Sequence, residues 1–188
     1  IDYVHRAIGY SLTGSVRDDC FFVCYGSGAN GKSVFSEVLR IAFGDYGHHA
    51  PFDLFDYSCR NQHPQGLALL EGRRFVTALE AAPGARLNEQ RVKALAGGDP
   101  ITAHLMREND RTFTCTSHLW LSVNHRPRVL DDSPGFWRKA RMIPFNRRFV
   151  PQEQIDRNPE LRDDPRVLPA DEKLRPRLLA EAAGILRW

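Results

Sequence analysis

The sequence has only four cysteines in 188 residues, Cys20, Cys24, Cys59 and Cys115. They are too sparse and scattered for the disulfide framework of a small secreted chain, so they read as reduced thiols in a cytoplasmic protein. No apolar run approaches the ~20 residues that span a bilayer, which excludes a membrane helix. No charged-then-apolar leader with a small-residue cleavage site stands at the N-terminus. Repeats and low-complexity tracts are absent. Lysine is scarce, 4 against 22 arginines. With 42% hydrophobic residues and a net charge of only +3, the chain is not disordered, and its length suits one domain with a real core.

The small net charge conceals a gradient. Residues 1–100 carry −1, residues 101–150 carry +5 and residues 151–188 carry −1. Clustered arginine in the middle segment can neutralise phosphates, although a solvated charged face has the same composition. His48, His49, Cys59 and His63 could supply zinc ligands, but no second C-x-x-C accompanies them. They read better as residues of an irregular connection.

Periodicity orders the elements. Tyr3, Val4, Ala7 and Ile8 predict a helix over Ile1–Leu12, stopped at Thr13-Gly14. A chain that opens on Ile inside a helical pattern reads as a fragment. Cys20–Tyr25, Arg74–Leu79, Leu119–Val123 and Met142–Phe145 are short apolar runs, as expected of strands buried on both faces. Val34, Phe35, Val38, Leu39, Ala42 and Phe43 predict a helix from Lys32 that ends at Gly44. Residues 45–66 read as a long connection with room for a short helix. Leu87–Ala96 is a predicted helix, with Asn88 as its N-cap and Gly97-Gly98 as its stop. Ile101–Ser117 is a predicted hairpin with Arg107–Arg111 at its tip. Residues 146–172 read as a surface loop or linker, and Leu174–Trp188 as a terminal helix. Alternating strands and helices indicate an α/β domain with a mostly parallel sheet. The segments that follow three of the strands would then share one ligand-binding edge.

Gly26-Ser27-Gly28-Ala29-Asn30-Gly31-Lys32-Ser33 fits the phosphate-binding pattern G-x-x-x-x-G-K-[ST]. Glycines let backbone N–H groups converge on phosphate oxygens, and the helix that follows aims its positive end at the same anions. Lys32 would neutralise phosphate charge, and the Ser33 hydroxyl would ligate Mg²⁺. Glu80, after the second strand, is the candidate carboxylate for orienting water and holding the metal. The residues before it, Ala78 and Leu79, offer no second carboxylate. Asn124, after the third strand, can hydrogen-bond both water and γ-phosphate without adding negative charge. Arg138 and Arg141, near the fourth strand, are candidates for stabilising transition-state charge on a neighbouring subunit's nucleotide.

In order, GSGANGKS, RRFVTALEA, LNEQRVKALAGGDPITA, LWLSVNHRPRV and GFWRKARMIPF resemble the superfamily 3 helicases, specifically the helicase part of phage and plasmid primase-helicases related to that of poxviruses. The likeness covers nearly all of residues 8–188. It implies an AAA+-like P-loop core over 15–150, a preceding helix over 1–14 and a loop and helix over 151–188. It also implies assembly into a ring, usually hexameric, and ATP- and Mg²⁺-dependent translocation on single-stranded or forked DNA. Lys32 and Ser33 match the first motif, Glu80 the acidic second motif and Asn124 the sensor. Arg138 matches the arginine finger best, with Arg141 as its rival, since Lys139 stands where the family often has a second arginine. Asp99 belongs to the intermediate motif. His104, Arg107 and Arg111 match the DNA-contacting hairpin, His104 replacing a frequent arginine. A primase region on the same chain and a location in the cytoplasm of a bacterial host follow from the same likeness. A nucleotide-dependent DNA-loading module with little unwinding is the alternative. A small-molecule P-loop kinase fits the motif order less well.

Overall fold

Runs of five or six apolar residues can bury both faces only inside a covered sheet. In the computed structural model the runs at Cys20–Tyr25, Arg74–Leu79 and Leu119–Val123 do so, whereas Met142–Phe145 belongs to an edge strand in which only Ile143 is buried. The structure describes residues 1–59, 64–79, 86–130 and 134–187. In chain order the elements are α1 (Asp2–Thr13), β1 (Phe21–Tyr25), α2 (Lys32–Ala42), β2 (Gly47–His49), α3 (Pro64–Ala68), β3 (Phe75–Leu79), α4 (Glu89–Gly97), β4 (Pro100–Ala103), β5 (Arg111–Thr114), β6 (His118–Val123), α5 (Pro134–Trp137), β7 (Ala140–Pro144), β8 (Arg148–Val150), α6 (Gln152–Arg157), α7 (Pro159–Asp163), β9 (Val167–Pro169), α8 (Leu174–Ala180) and α9 (Ala182–Ile185).

Five strands form one parallel sheet in the order β2-β3-β6-β1-β7. Strand β6 comes late in the chain yet lies between β1 and β3, with Val23 level with Leu121 and Thr77 level with Trp120. This interleaving sets the carboxyl ends of β1, β3 and β6 side by side. It creates the switch point where open α/β sheets hold their ligands.

One sheet face packs Phe21, Val23, Ala78 and Leu121 under Leu54, Phe55, Leu95 and Phe136. The other packs Phe22, Cys24, Phe75 and Trp120 under α1 and α2, through Ala7, Leu39 and Phe43. Trp120 stacks on Phe22 at 4.2 Å, and its indole N–H donates to Ser11 Oγ at 3.1 Å. Ser11 in turn donates to the Ala7 carbonyl at 2.8 Å. The one polar group of the largest buried side chain is thereby satisfied, and truncating Trp120 to alanine would cost about 3–5 kcal/mol.

Two helix caps match their sequence signals. Gly14 ends α1 in the left-handed region at φ 69°. Asn88 caps α4, its side chain accepting from Arg91 N at 3.0 Å, and Gly98 closes that helix at φ 71°.

Three expectations need correction. Residues 45–66 are not only a connection, because Gly47–His49 pairs with β3 as an edge strand. Its signal is hidden because pairing across the sheet, not local apolar content, makes it a strand. Gly47 is required there, since a Cβ would lie 2.3 Å from the Arg40 carbonyl. Residues 146–172 are not a plain loop: β8 and β9 pair in parallel, with α6 and α7 between them. The terminal helix is two short helices, α8 and α9, separated at Glu181. His48 and His49 lie on β2, where His49 Nδ1 and Thr77 Oγ1 are 3.3 Å apart; His63 lies outside the described residues.

Candidate nucleotide site

The loop between β1 and α2 turns through positive φ at three places, Gly26 (150°), Ala29 (60°) and Gly31 (88°). Gly26 admits no side chain, because a Cβ would stand 2.3 Å from the Phe145 carbonyl oxygen. Asn30 is 5% exposed and braces the loop. Its Nδ2 donates to the Phe145 carbonyl at 3.2 Å, and its Oδ1 accepts from Lys32 Nζ at 3.0 Å. Lys32 Nζ also donates to the Gly26 carbonyl at 2.6 Å. The ammonium is therefore folded over the loop and 6% exposed, held by neutral oxygens that an anion can replace. The first-turn N–H groups of α2 have no carbonyl one turn back, so the helix presents donors and its positive end to the same space.

That space is a cleft of about 430 Å³ lined by residues 28–34 with Leu79, Ser122 and Asn124. Ser33 and Asn124 are exposed into it. Ser122 and Ser36 join the floor of the cleft to α2 through their hydroxyls, 3.3 Å apart. Glu80 lies outside the described residues. The structure thus brings Gly28–Ser33 and Asn124 together. A hard hydroxyl oxygen beside phosphate donors, as at Ser33, suits Mg²⁺ chemistry. Cys24, beneath the loop on β1, is fully buried, and burial pushes its thiol up to about 12, leaving it neutral and inert.

The arginines near β7 sit elsewhere. Phe21 is level with Ala140, so about 16 Å of sheet separates the start of β7 from the loop after β1. Arg138 precedes β7, is exposed, and its side chain has no partner among the described residues. Arg141 is half-buried on β7 and donates to the Arg138 carbonyl at 2.6 Å. Lys139 is tied to Asp19 at 2.5 Å.

The hairpin is β4–β5, with Pro100 opposite Thr114 and Ala103 opposite Arg111. Its tip is residues 104–110, so Arg111 is not at the tip but opens the return strand, a correction to the sequence reading. Arg111 pairs with Glu71 at 3.0 Å, and His104 Nδ1 lies 2.8 Å from Asp110. Arg107 stands at the tip with φ 65°.

Sequence reasoning missed Ser122, Ser36 and the segment 145–149 as parts of the site. Phe145 N donates to the Tyr25 carbonyl at 2.8 Å and Phe149 N to the Ala29 carbonyl at 2.7 Å. No local motif marks that segment, which reaches the loop only through the sheet.

No family model matches the chain. A protein of Acanthamoeba polyphaga mimivirus that bears the name of a helicase is 29% identical over 153 residues, 79% of this chain and 16% of its own length. A protein of African swine fever virus that bears the name of a primase is 24% identical over 157 residues, 81% of this chain and 16% of its own length. The chain therefore spans about a sixth of these relatives. Among solved structures, the apo C-terminal region of NrS-1 superposes over the whole chain with a TM-score of 0.65 at 12% identity, covering 42% of that region. At that identity the match speaks for the fold alone. In sequence the chain is thus similar to viral proteins that bear the names of a helicase and a primase, and in fold to the C-terminal region of NrS-1.

Proposed function

We propose that the chain is the ATPase motor of a ring-forming DNA helicase that serves the replication of a phage, plasmid or viral genome, with ATP held between adjacent subunits. The observation that carries this reading is a separation. The phosphate-binding cleft and Arg138 lie at opposite ends of one sheet, about 16 Å of strand apart, so Arg138 serves a neighbour's cleft rather than its own.

The backbone of Gly26–Gly31 and the start of α2 cradle the triphosphate. Lys32 leaves Gly26 and Asn30 for the phosphate oxygens. Asn124 and Glu80 position a water in line with the γ-phosphorus. Its oxygen bonds to phosphorus as the bond to the β–γ bridging oxygen breaks. Glu80 takes the proton, and ADP and phosphate leave. Mg²⁺, held by Ser33 and by Glu80 through water, supplies neutralisation of phosphate charge when bound. The neighbour's Arg138 stabilises the charge that builds in the transition state. The exposure of Arg138 and the inward engagement of Arg141 support Arg138 as the finger. Hydrolysis would move the β4–β5 hairpin, which carries the DNA strand.

The test is ATP hydrolysis per subunit against protein concentration, with and without single-stranded DNA at low salt. A specific rate that rises with both, and that Lys32→Ala abolishes, is the expected result. Near-normal turnover by Lys32→Ala sinks the nucleotide site. A second reading, a loading module with little unwinding, draws on one observation: carboxylates of the same chain engage His104 and Arg111. Strand displacement on a forked duplex separates the two readings.

A further inference from the structure

The described residues include one aromatic side chain that stands over the phosphate-binding loop while still open to solvent. Phe149, on β8, is 37% exposed. Its Cε2 lies 3.7 Å from where a Cβ on Gly31 would be, so the ring rests against the bare Cα face of that glycine. One hydrogen bond ties its own backbone to the loop, Phe149 N to the Ala29 carbonyl at 2.7 Å, and two hold the segment that leads to it, Phe145 N to the Tyr25 carbonyl and Asn30 Nδ2 to the Phe145 carbonyl, at 2.8 and 3.2 Å. On its other side β8 pairs with β9, which holds Arg148 level with Val167 and Phe149 level with Leu168. A large apolar ring is thus held beside a polar anion site by backbone, not by a side-chain core.

We infer that Phe149 is the stacking platform for the purine base of the nucleoside triphosphate, so that β8 and β9 form the base-binding wall of the site. The inference rests on the nucleotide reading above and adds to it the part that recognises the base. With the triphosphate held by residues 28–33, the ribose and base must leave the loop along one of its walls. Phe149 offers a flat π-surface there, next to Gly31. Stacking has no hydrogen-bond code, so this wall favours purines over pyrimidines by ring area and distinguishes adenine from guanine little.

The test compares equilibrium binding of ATP and of inorganic tripolyphosphate by the parent chain and by Phe149→Ala and Phe149→Tyr, measured calorimetrically with Mg²⁺. Tripolyphosphate carries the phosphates without the base. Phe149→Ala is expected to weaken ATP about tenfold, the scale of one lost base–aromatic stack, and to leave tripolyphosphate within about twofold. Phe149→Tyr is expected to keep ATP near the parent affinity. Unchanged ATP binding by Phe149→Ala overturns the inference. So does equal weakening of both ligands, which would mean that Phe149 only shapes the loop. A parent chain that binds neither ligand defeats the nucleotide reading itself, and the inference falls with it. Retained tripolyphosphate binding in Phe149→Ala also shows that the variant is folded.

Discussion

At the scale of single residues, burial decides which groups can carry charge. Lys32 is buried but surrounded by carbonyl and amide oxygens, so its charge is solvated by the loop that it serves. His118 has no such solvation. It sits 1% exposed between Tyr10 and Phe22, and its Nδ1 has no hydrogen-bond partner among the described residues. Burial, opposed weakly by the charge of Asp18, drops its pKa from 6.5 to about 4. Between those values the unfolded chain binds a proton that the folded chain refuses. Stability is therefore full above pH 6.5 and is lost as pH falls toward 4. At pH 5 the loss is on the order of 2 kcal/mol, about 4–8 °C in melting temperature for a chain of this size. His48, also lowered by burial, adds in the same direction. Melting curves at pH 7.5 and pH 5 check this. The drop should shrink in His118→Phe, and an equal drop in both proteins would refute the assignment.

At the scale of elements, the β4–β5 hairpin shows how a basic run is divided by its partners. Arg111 is tied to Glu71 on the segment before β3, but both side chains are about two-fifths exposed, at 41% and 43%. Such a pair contributes roughly 1 kcal/mol or less and yields to a phosphate. Arg107 stands at the tip without that competition. Arg107→Ala is expected to weaken single-stranded DNA binding at low salt and to flatten the log-affinity against log-salt slope by about 0.7, the loss of one phosphate contact. Glu71→Gln is expected to tighten binding by releasing Arg111. Fluorescence anisotropy on a labelled oligonucleotide at several salt concentrations reads both, and an unchanged slope for Arg107→Ala would remove the hairpin from the DNA path. A second element-scale tie is the fork between Arg175 on α8 and Glu37 on α2, at 2.8 and 2.6 Å. The Arg175 guanidinium holds the Glu37 carboxyl below the usual range. Together with α9 against α2, it fastens the C-terminal helices to the helix that opens the phosphate site.

At the scale of the whole molecule, the sheet acts as a spacer. Its carboxyl edge collects the phosphate loop and Asn124, while Arg138 stands beyond its amino edge, and the proposed function accordingly draws a complete site from two copies. Arg138→Ala is expected to bind ATP nearly as the parent does and not to hydrolyse it. Mixed with Glu80→Ala subunits, it is expected to regain part of the turnover, because some interfaces then pair an intact cleft with an intact finger. Turnover that stays absent at every mixing ratio would argue against a site shared between copies. Among the described residues no helix is long and apolar enough to cross a membrane.

The local code was readable wherever the physics is local. Three buried strands, the Asn88 cap, the Gly14 and Gly98 stops and the GSGANGKS loop all follow from apolar runs, capping chemistry and the φ that glycine permits. Motif order alone also pointed to the helicase family. What the chain could not state locally is which distant segments meet. Gly47–His49 becomes a strand only because β3 offers it an edge, and Ser122 reaches Ser36 only because β6 lies between β1 and β3. Arg138 and Arg141, three residues apart, differ because one follows a short helix in solvent and the other lies half-buried on a strand. Phe149 meets the glycine-rich loop from far along the chain because β7 runs parallel to β1 and returns the chain to the loop that β1 began. Pairing and register across a sheet are set by tertiary burial and backbone hydrogen bonding, which no short window of sequence contains.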